Sequence, residues 1–372
     1  MPLQQPRIAL VHDDFIQEGG AESLLATIAE IFPEAPIYSA LVDWQKLPQS
    51  IDRSRIRTSF IQKLAIVKKW YKFFLPLFPL AFESFDFSEY DLVISSSTRF
   101  SKCIITPPKT MHICYVNSVP RFLWHETSKA HYYNPFLTIV ARPLVSWLKR
   151  VDLAAAGRVD KFVANSQNVA ASIKKIYKRE SAVVYPFADL SFFKPAKVHN
   201  WQLKSQKYYL VVSRLVKWKR IDLAVSACQK SGFNLKIVGT GPDKKRLKCV
   251  ATKNLEFLGR VSKQQLRELY QNSLGLIVTQ EEDFGIASVE AQACGIPVIA
   301  YSQGGQAEIV LEGKTGLFYK NQKTQDIEDA IKRASNVKWS VSACYKNAQK
   351  FNKGNFRRGI KNLVDGKSSQ RS

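Results

Sequence analysis

Two glutamates, Glu282 and Glu290, bracket the stretch Glu282-Asp-Phe-Gly-Ile-Ala-Ser-Val-Glu290, which follows directly on the apolar run Gly275–Thr279. A strand that turns into a helix here lets the backbone come close to a ligand at Gly285, between Phe284 and Ile286. The free N–H groups that open the next helix suit an anion. Glu290 falls about one and a half turns into that helix. Carboxylates accept hydrogen bonds, so the pair can hold two sets of hydroxyls, Glu282 those of a sugar and Glu290 those of a ribose. Two glutamates facing solvent are the competing reading.

A second constellation, Ser213-Arg-Leu-Val-Lys-Trp-Lys-Arg-Ile-Asp222, follows another apolar run, Tyr208–Ser213. Arg214 offers a planar fork and Lys219 a point charge, the pair of donors that clamps a diphosphate leaving group. A solvated basic face is the alternative. Position favours the clamp, because both cations and both glutamates fall at the same end of one parallel sheet. Three glycine turns are weaker signals: Gly19-Gly20, which opens a helix where amides could meet a phosphate, Gly239-Thr-Gly241, and Gly304-Gly305. Each also reads as a plain tight turn.

The histidines (His12, His112, His125, His131, His199) show no metal-ligand spacing, and no Asp-x-Asp is present to hold a magnesium–diphosphate. Asp13 and Asp14 are adjacent on a strand end, where neighbouring side chains point apart. No metal and no cofactor are expected.

These residues need elements to position them. In the first half, Arg7–His12, Leu92–Ser95, Met111–Val116, Lys161–Asn165 and Ala182–Tyr185 read as strands, with helices at Ala21–Ile31 and Gln167–Ile176. The second half has strands at Tyr208–Ser213, Asn234–Val238, Leu255–Leu258, Gly275–Thr279 and Pro297–Ala300. Helices near Ile221–Ser231, Asp243–Ala251, Lys263–Asn272 and Ile286–Ala293 separate them. Apolar strands alternating with helices imply an α/β chain with parallel sheets covered on both faces. Phe187–Lys207 has little periodicity and reads as a linker. Two such domains facing each other would leave a cleft at the carboxyl ends of their strands.

The 372 residues suit two domains of roughly 150–200 each. Hydrophobic residues at 45% and charged residues at 23% exclude wholesale disorder. The net charge of +24 favours an anionic partner: a nucleotide, a nucleic acid or an acidic membrane. Six scattered cysteines without Cys-x-x-Cys read as reduced thiols of a cytosolic protein. The first residues lack the apolar core of a signal peptide, and the run Phe73–Phe82, ten residues with two prolines, is shorter than the roughly 20 a bilayer requires. Residues 53–72 hold Arg53, Arg55, Arg57, Lys63, Lys68, Lys69 and Lys72 and no acid. Trp70, Tyr71, Phe73, Phe74, Phe78 and Phe82 overlap and follow them. Cations beside aromatics suit an anionic headgroup layer, extended by Arg142, Lys149 and Arg150. Aromatics that fill the core are the alternative.

Taken together, the motifs resemble glycosyltransferase family 4, a retaining family with the GT-B fold, over nearly the whole chain. The resemblance implies two Rossmann-like domains, 1–190 on the acceptor side and 191–350 binding a nucleotide-sugar, with 351–372 returning to the first domain. It implies that Arg214 and Lys219 bind the donor's diphosphate, Glu282 its sugar and Glu290 its ribose. Phe284, Gly285 and Ile286 would contact sugar and phosphates through their backbone, Gly239 and the segment Phe257–Val261 would lie against the nucleotide, and Gly19, Gly20 and Asn117 would line the acceptor side. Leu80-Ala-Phe-Glu-Ser-Phe-Asp86, Tyr90-Asp-Leu-Val-Ile-Ser-Ser-Ser97, Arg121-Phe-Leu-Trp124, Phe162-Val-Ala-Asn-Ser166 and Glu290-Ala-Gln-Ala-Cys-Gly295 are similar to bacterial mannosyltransferase-type enzymes of surface polysaccharide synthesis. Where such relatives carry His-Thr-Pro, this chain has Asn117-Ser118-Val119. An asparagine there still hydrogen-bonds but carries no proton at neutral pH.

The expectation is therefore a metal-independent hexosyltransferase using GDP-mannose, with a glycan or lipid-linked acceptor on the inner membrane face. An epimerase or a glycogen-synthase-like enzyme would share the architecture. A nucleic-acid-binding protein is the reading from charge alone, and no nucleic-acid module is visible to support it.

Overall fold

The computed structural model describes residues 6–64, 67–71, 73–124, 135–196, 207–250 and 252–365. By internal contacts the chain divides into two units, Met1–Tyr185 with Arg357–Ser372, and Pro186–Phe356. Each is built on one parallel sheet, so the chain is an α/β protein of two parallel-sheet domains.

The strands in chain order are β1 (Ile8–Phe15), β2 (Ile37–Val42), β3 (Ile56–Thr58), β4 (Leu92–Ser97), β5 (Met111–Val116), β6 (Lys161–Ala164) and β7 (Ser181–Val183) in the first unit. The second holds β8 (Tyr208–Val212), β9 (Asn234–Val238), β10 (Leu255–Gly259), β11 (Gly275–Val278), β12 (Val298–Tyr301) and β13 (Gly316–Tyr319). Among the described residues the sheet orders are β3-β2-β1-β4-β5-β6-β7 and β10-β9-β8-β11-β12-β13. Every pairing is parallel, and β1 keeps seven of its eight residues buried, as a strand covered on both faces must.

Strands and helices expected from apolar runs stand within one to three residues of their predicted ends. Three strands went unread, as did several helices, among them Thr324–Ser335, Val341–Ala348 and the long Pro135–Gly157. β2, Ile-Tyr-Ser-Ala-Leu-Val, dilutes its apolar signal with Ser39 and Ala40, and both are buried. β3 and β13 are edge strands of three and four residues, too short for any period. The helix Pro135–Gly157 continues through Pro143, a residue that ordinarily ends a helical reading.

In the first unit a segment after β4 is held by buried charge. Asp13 accepts the backbone N–H groups of Thr98, Arg99, Phe100 and Ser101 at 2.5–2.8 Å, and Asp14 pairs with the Arg99 guanidinium. The two adjacent aspartates, expected to diverge, thus serve one segment, one through its backbone and one through a side chain. Burial alone would raise the Asp13 pKa, but Arg99, His12 and the amides together hold it below the usual carboxylate value. Lys102 forms a buried pair with Asp152, which also accepts from Trp124 and Tyr177 at 2.8 Å each.

The basic and aromatic stretch divides. Phe78 and Phe82 fill the core, whereas Trp70 and Phe73 are 47% and 75% exposed with ring centroids 5.6 Å apart. Arg55 turns inward to the carbonyls of Phe32 and Ala35 at 2.8 Å, which close the C-terminal end of the helix Gly20–Ile31. It is therefore a helix cap and not part of a surface patch. Lys149 stacks over Trp124 at 4.8 Å. The side chains of Lys68 and Lys69, and Lys72, His125, His131, His199 and the tail Gly366–Ser372, lie outside the described residues. All six cysteines are free, and all but Cys249 are buried. No helix of the described residues is long and apolar enough to cross a membrane.

The helix Lys353–Asp365 begins in the second unit and ends in the first. There Arg357 pairs with Glu30, and Gly359 lies so close to Val184 that a Cβ would meet its side chain at 2.8 Å.

Candidate functional site

In the second unit the chain runs outward from β8 through β9 to β10 on one side, and from β11 through β12 to β13 on the other. β8 and β11 are neighbours, so the loops after them diverge and leave a crevice at their carboxyl ends. The two basic residues leave β8, and the two glutamates leave β11.

Lys219 and Glu282 meet there, Nζ to Oε1 at 2.5 Å. Lys219 closes the 3₁₀ turn Lys217–Lys219, and Arg220, in the left-handed region at φ 51°, breaks into the helix Ile221–Ser231. Thr279, at the end of β11, donates its hydroxyl to the Lys219 carbonyl at 2.6 Å and ties the two loops together. The Lys219 ammonium sits 4.3 Å from the centre of the Trp218 ring. Gln280 donates its side-chain amide to the same Glu282 oxygen. Glu282 is fixed from its backbone as well, because Gly305 N–H reaches its carbonyl at 2.8 Å. A Cβ at Gly304, whose φ is +81°, would run into that carbonyl. Arg214, by contrast, is exposed.

Gly285 has φ +116°, which disfavours any other residue, and it precedes the helix Ile286–Ala293 directly. Beneath it lies the Gln306 side chain, placed where a Cβ would go and accepting from the Ser288 hydroxyl at 2.7 Å. The N–H groups of Ile286 and Ala287 open this helix behind Gly285, while Ser288 N–H turns back to the Gly285 carbonyl at 3.0 Å. Phe284 is buried against Phe351, with ring centroids 5.3 Å apart, so its side chain is not available to a ligand.

Glu290 is half-buried on the same helix, and Tyr270 donates to its Oε2 at 3.1 Å. Desolvation raises its pKa to about 7 against the downward pull of Tyr270 and Lys263. Neither glutamate is fully solvated: Glu282 is ion-paired, and Glu290 is half-buried under the Tyr270 hydroxyl. Gly239, at φ +133°, packs against the Ser213 carbonyl, and Leu215 N–H reaches Thr240 at 2.9 Å. That turn therefore supports the segment carrying Arg214. Val261 follows β10 and precedes Ser262, whose capping box with Gln265 starts the helix Lys263–Gln271.

The first unit holds its own candidates at the carboxyl ends of its strands. Gly19 is the extended N-cap of the helix Gly20–Ile31. Asn117 follows β5, donates to Ser96 Oγ at 2.9 Å and accepts from Asn165 at 2.8 Å through its carbonyl. Glu22, missed in the sequence, is buried in the first turn. A Cβ on Gly19 would sit 2.8 Å from its Oε2. Its own carboxylate thus occupies the helix N-terminus, where the sequence left room for a phosphate or for a plain tight turn, and burial raises its pKa to about 7. Thr279, Gln280, Tyr270 and Gln306 were likewise unread, because uncharged residues inside strands and helices carry no spacing signal. Among the described residues no group of three or more His, Cys, Asp or Glu could hold a metal ion. His12 and His112 are buried, and burial lowers their pKa values to about 4 and about 3.

Comparison with known families falls on this unit: residues 194–351 match the family described as glycosyl transferases group 1. The match covers most of the second unit and none of the first. Among curated relatives, an uncharacterised glycosyltransferase of Methanocaldococcus jannaschii is 27% identical over 52% of this chain and 55% of its own length. A D-inositol 3-phosphate glycosyltransferase of Mycobacteroides abscessus is 28% identical over 46% of this chain and 43% of its own. The α-1,3/1,6-mannosyltransferase ALG2 of Dictyostelium discoideum is 26% identical over 59% and 64%. The chain thus spans about half the length of the first of these relatives and less than half of the second. Whole-chain likeness is seen in solved folds. A sucrose-phosphate synthase from Thermosynechococcus elongatus superposes with a TM-score of 0.75 at 18% identity, covering 98% of this chain and 100% of that one. HepE of Anabaena, solved with UDP and glucose, gives 0.68 at 18% identity over 97% and 100%. Both share the fold of two parallel-sheet α/β domains, the GT-B architecture.

The raised carboxyl pKa values have a stability consequence. A group that holds its proton more tightly folded than unfolded makes the native state the greater proton binder between the two pKa values, so stability falls as pH rises through that window. For Glu22 the window runs from the ordinary glutamate value of 4.5 to about 7. Glu22→Gln, which mimics the protonated form, should gain stability relative to wild type as pH rises from 5 to 8, by up to about 3 kcal/mol. Urea unfolding of both proteins at the two pH values checks this, and a constant difference would refute it.

Proposed function

We propose that the chain is a retaining, metal-independent glycosyltransferase of family 4. It moves a hexose, mannose from GDP-mannose in the first instance, to a glycan or lipid-linked acceptor in surface polysaccharide synthesis. The observation that carries the reading is the Lys219–Glu282 contact at the β8/β11 crevice, beside the helix N-terminus at Gly285. The mannosyl assignment draws on the relative named as a mannosyltransferase.

In this reading the second unit holds the nucleotide-sugar and the first recognises the acceptor. As the glycosidic bond to the diphosphate lengthens, positive charge grows on the sugar ring and negative charge on the leaving group. Arg214, Lys219 and the amides after Gly285 take up the negative charge, the role a metal would otherwise fill. Lys219 arrives already oriented, since Glu282 and the Thr279 contact fix its head and its backbone. Glu282 keeps lone pairs for sugar hydroxyls, and Glu290 takes the ribose. The acceptor proton passes to a phosphate oxygen, so Asn117 needs only to orient a hydroxyl.

A lipid-linked acceptor and an anionic membrane partner fit the charge of +24 and the exposed Trp70 and Phe73. Each basic residue near an anionic surface contributes about 1 kcal/mol. The protein would then work on the cytoplasmic face of a membrane, with nucleic acid no partner.

Thermal stabilisation by GDP-mannose, UDP-glucose or UDP-N-acetylglucosamine identifies the donor, and no shift with any of them counts against the proposal. Arg214→Ala and Lys219→Ala should each lower turnover by about 10²–10³-fold with the fold intact. Near-wild-type turnover in both would return them to a solvated basic face. Calorimetry with the nucleoside diphosphate separates the glutamates: Glu290→Ala should lose affinity, and Glu282→Ala should lose turnover while keeping it. Co-sedimentation with anionic vesicles should rise with anionic lipid and fall with salt. Protein left in the supernatant at low salt would favour a soluble acceptor.

A further inference from the structure

Tyr270 is fully buried, and its hydroxyl is surplus to packing. It lies on the helix Lys263–Gln271, with Phe193 edge-on to its ring at 5.9 Å between centroids. A phenylalanine would fill that space equally well. What the hydroxyl adds is one contact, a 3.1 Å hydrogen bond to Glu290 Oε2. A buried tyrosine hydroxyl requires such a partner, and a glutamate at a ligand site requires a fixed rotamer.

The helix that carries Tyr270 is held at several points along its length. Its start is closed by the Ser262–Gln265 capping box. The segment from Asp189 to Lys194 runs beside it: Lys263 reaches Asp189 at 2.6 Å, Gln271 reaches the Lys194 carbonyl at 2.7 Å, and the Lys263 and Arg267 cations lie 4.7 and 4.6 Å from the Phe192 ring centre. Tyr270 therefore has a rigid base from which to hold Glu290.

We propose that Tyr270 is a positioning residue for ribose recognition: it pins one carboxylate oxygen of Glu290 so that the other is presented to the ribose hydroxyls of a nucleoside diphosphate. The proposal rests on the nucleotide-sugar reading above, and on Glu290 as its ribose contact. A flexible glutamate would lose rotamer freedom on binding, whereas a pinned one has lost it during folding. The hydroxyl also favours the ionised carboxylate, the form that accepts from ribose, against burial and Asp189, which favour the neutral form; Lys263 acts in the same direction as Tyr270.

The test uses the full chain and calorimetry with GDP and UDP, each also in its 2′,3′-dideoxy form. Tyr270→Phe should weaken the ribose-bearing diphosphate about five- to tenfold and the dideoxy form less than twofold. On a Glu290→Ala background the same change should add nothing. Equal losses with both ligands, no loss with either, or a full further loss on the Glu290→Ala background would overturn the role of Tyr270. If wild type binds neither diphosphate, it is the nucleotide-sugar reading that falls, and the positioning role falls with it. Thermal unfolding of the variant controls for folding, and Tyr270→Met, which also lacks the hydroxyl, replaces Tyr270→Phe should the latter not fold.

Discussion

A lysine ammonium and a carboxylate brought out of bulk water together, Lys219 with Glu282, set the arrangement of the second unit's crevice. Either charge left alone there would be costly, so neither can leave without the other being supplied a partner. The loops that deliver them are constrained accordingly. The Arg220 backbone takes a left-handed conformation to end the turn at Lys219, Thr279 ties β11 to the same turn, and Gly304 has no side chain because the Glu282 carbonyl occupies its space. Gly285 and the helix behind it follow from where Glu282 must stand.

The first unit solves a related problem with different groups. Asp13 collects four backbone amides of the segment after β4, and Lys102 and Asp152 secure its far end. Buried charge thus fixes a loop at the carboxyl edge in both units. In each the fixed loop carries a cation paired with a carboxylate, Lys219 with Glu282 in the second and Arg99 with Asp14 in the first. With Glu22 filling the adjacent helix N-terminus, the edge of the first sheet offers hydrogen-bond acceptors more readily than a place for a phosphate.

Much of the second unit was legible because its central strands β8, β11 and β12 carry no charge and the charged residues of the crevice follow strand ends, where sequence position and spatial position coincide. Lys219 and Glu282 could be placed at one edge from the order of runs alone. Their direct contact could not, since it depends on β8 and β11 being neighbours although β9 and β10 intervene in the chain. Tyr270 was invisible for a related reason: a tyrosine at the end of an amphipathic helix reads as core, and only the fold brings its hydroxyl to Glu290. Arg55 misled in the opposite sense. A cation in a basic run reads as surface, yet its guanidinium closes the end of a helix some twenty residues earlier.

The helix Lys353–Asp365 makes the two units unequal in time. The second unit is one continuous stretch, Pro186–Phe356, and its strands are all available once that stretch has been synthesised. The first unit is interrupted: Glu30 and Val184 wait for Arg357 and Gly359, made more than 170 residues after Val184. During translation those two contacts therefore form only after the other unit has emerged from the ribosome. In a chain of this connectivity, the half that is made first is the last to be completed.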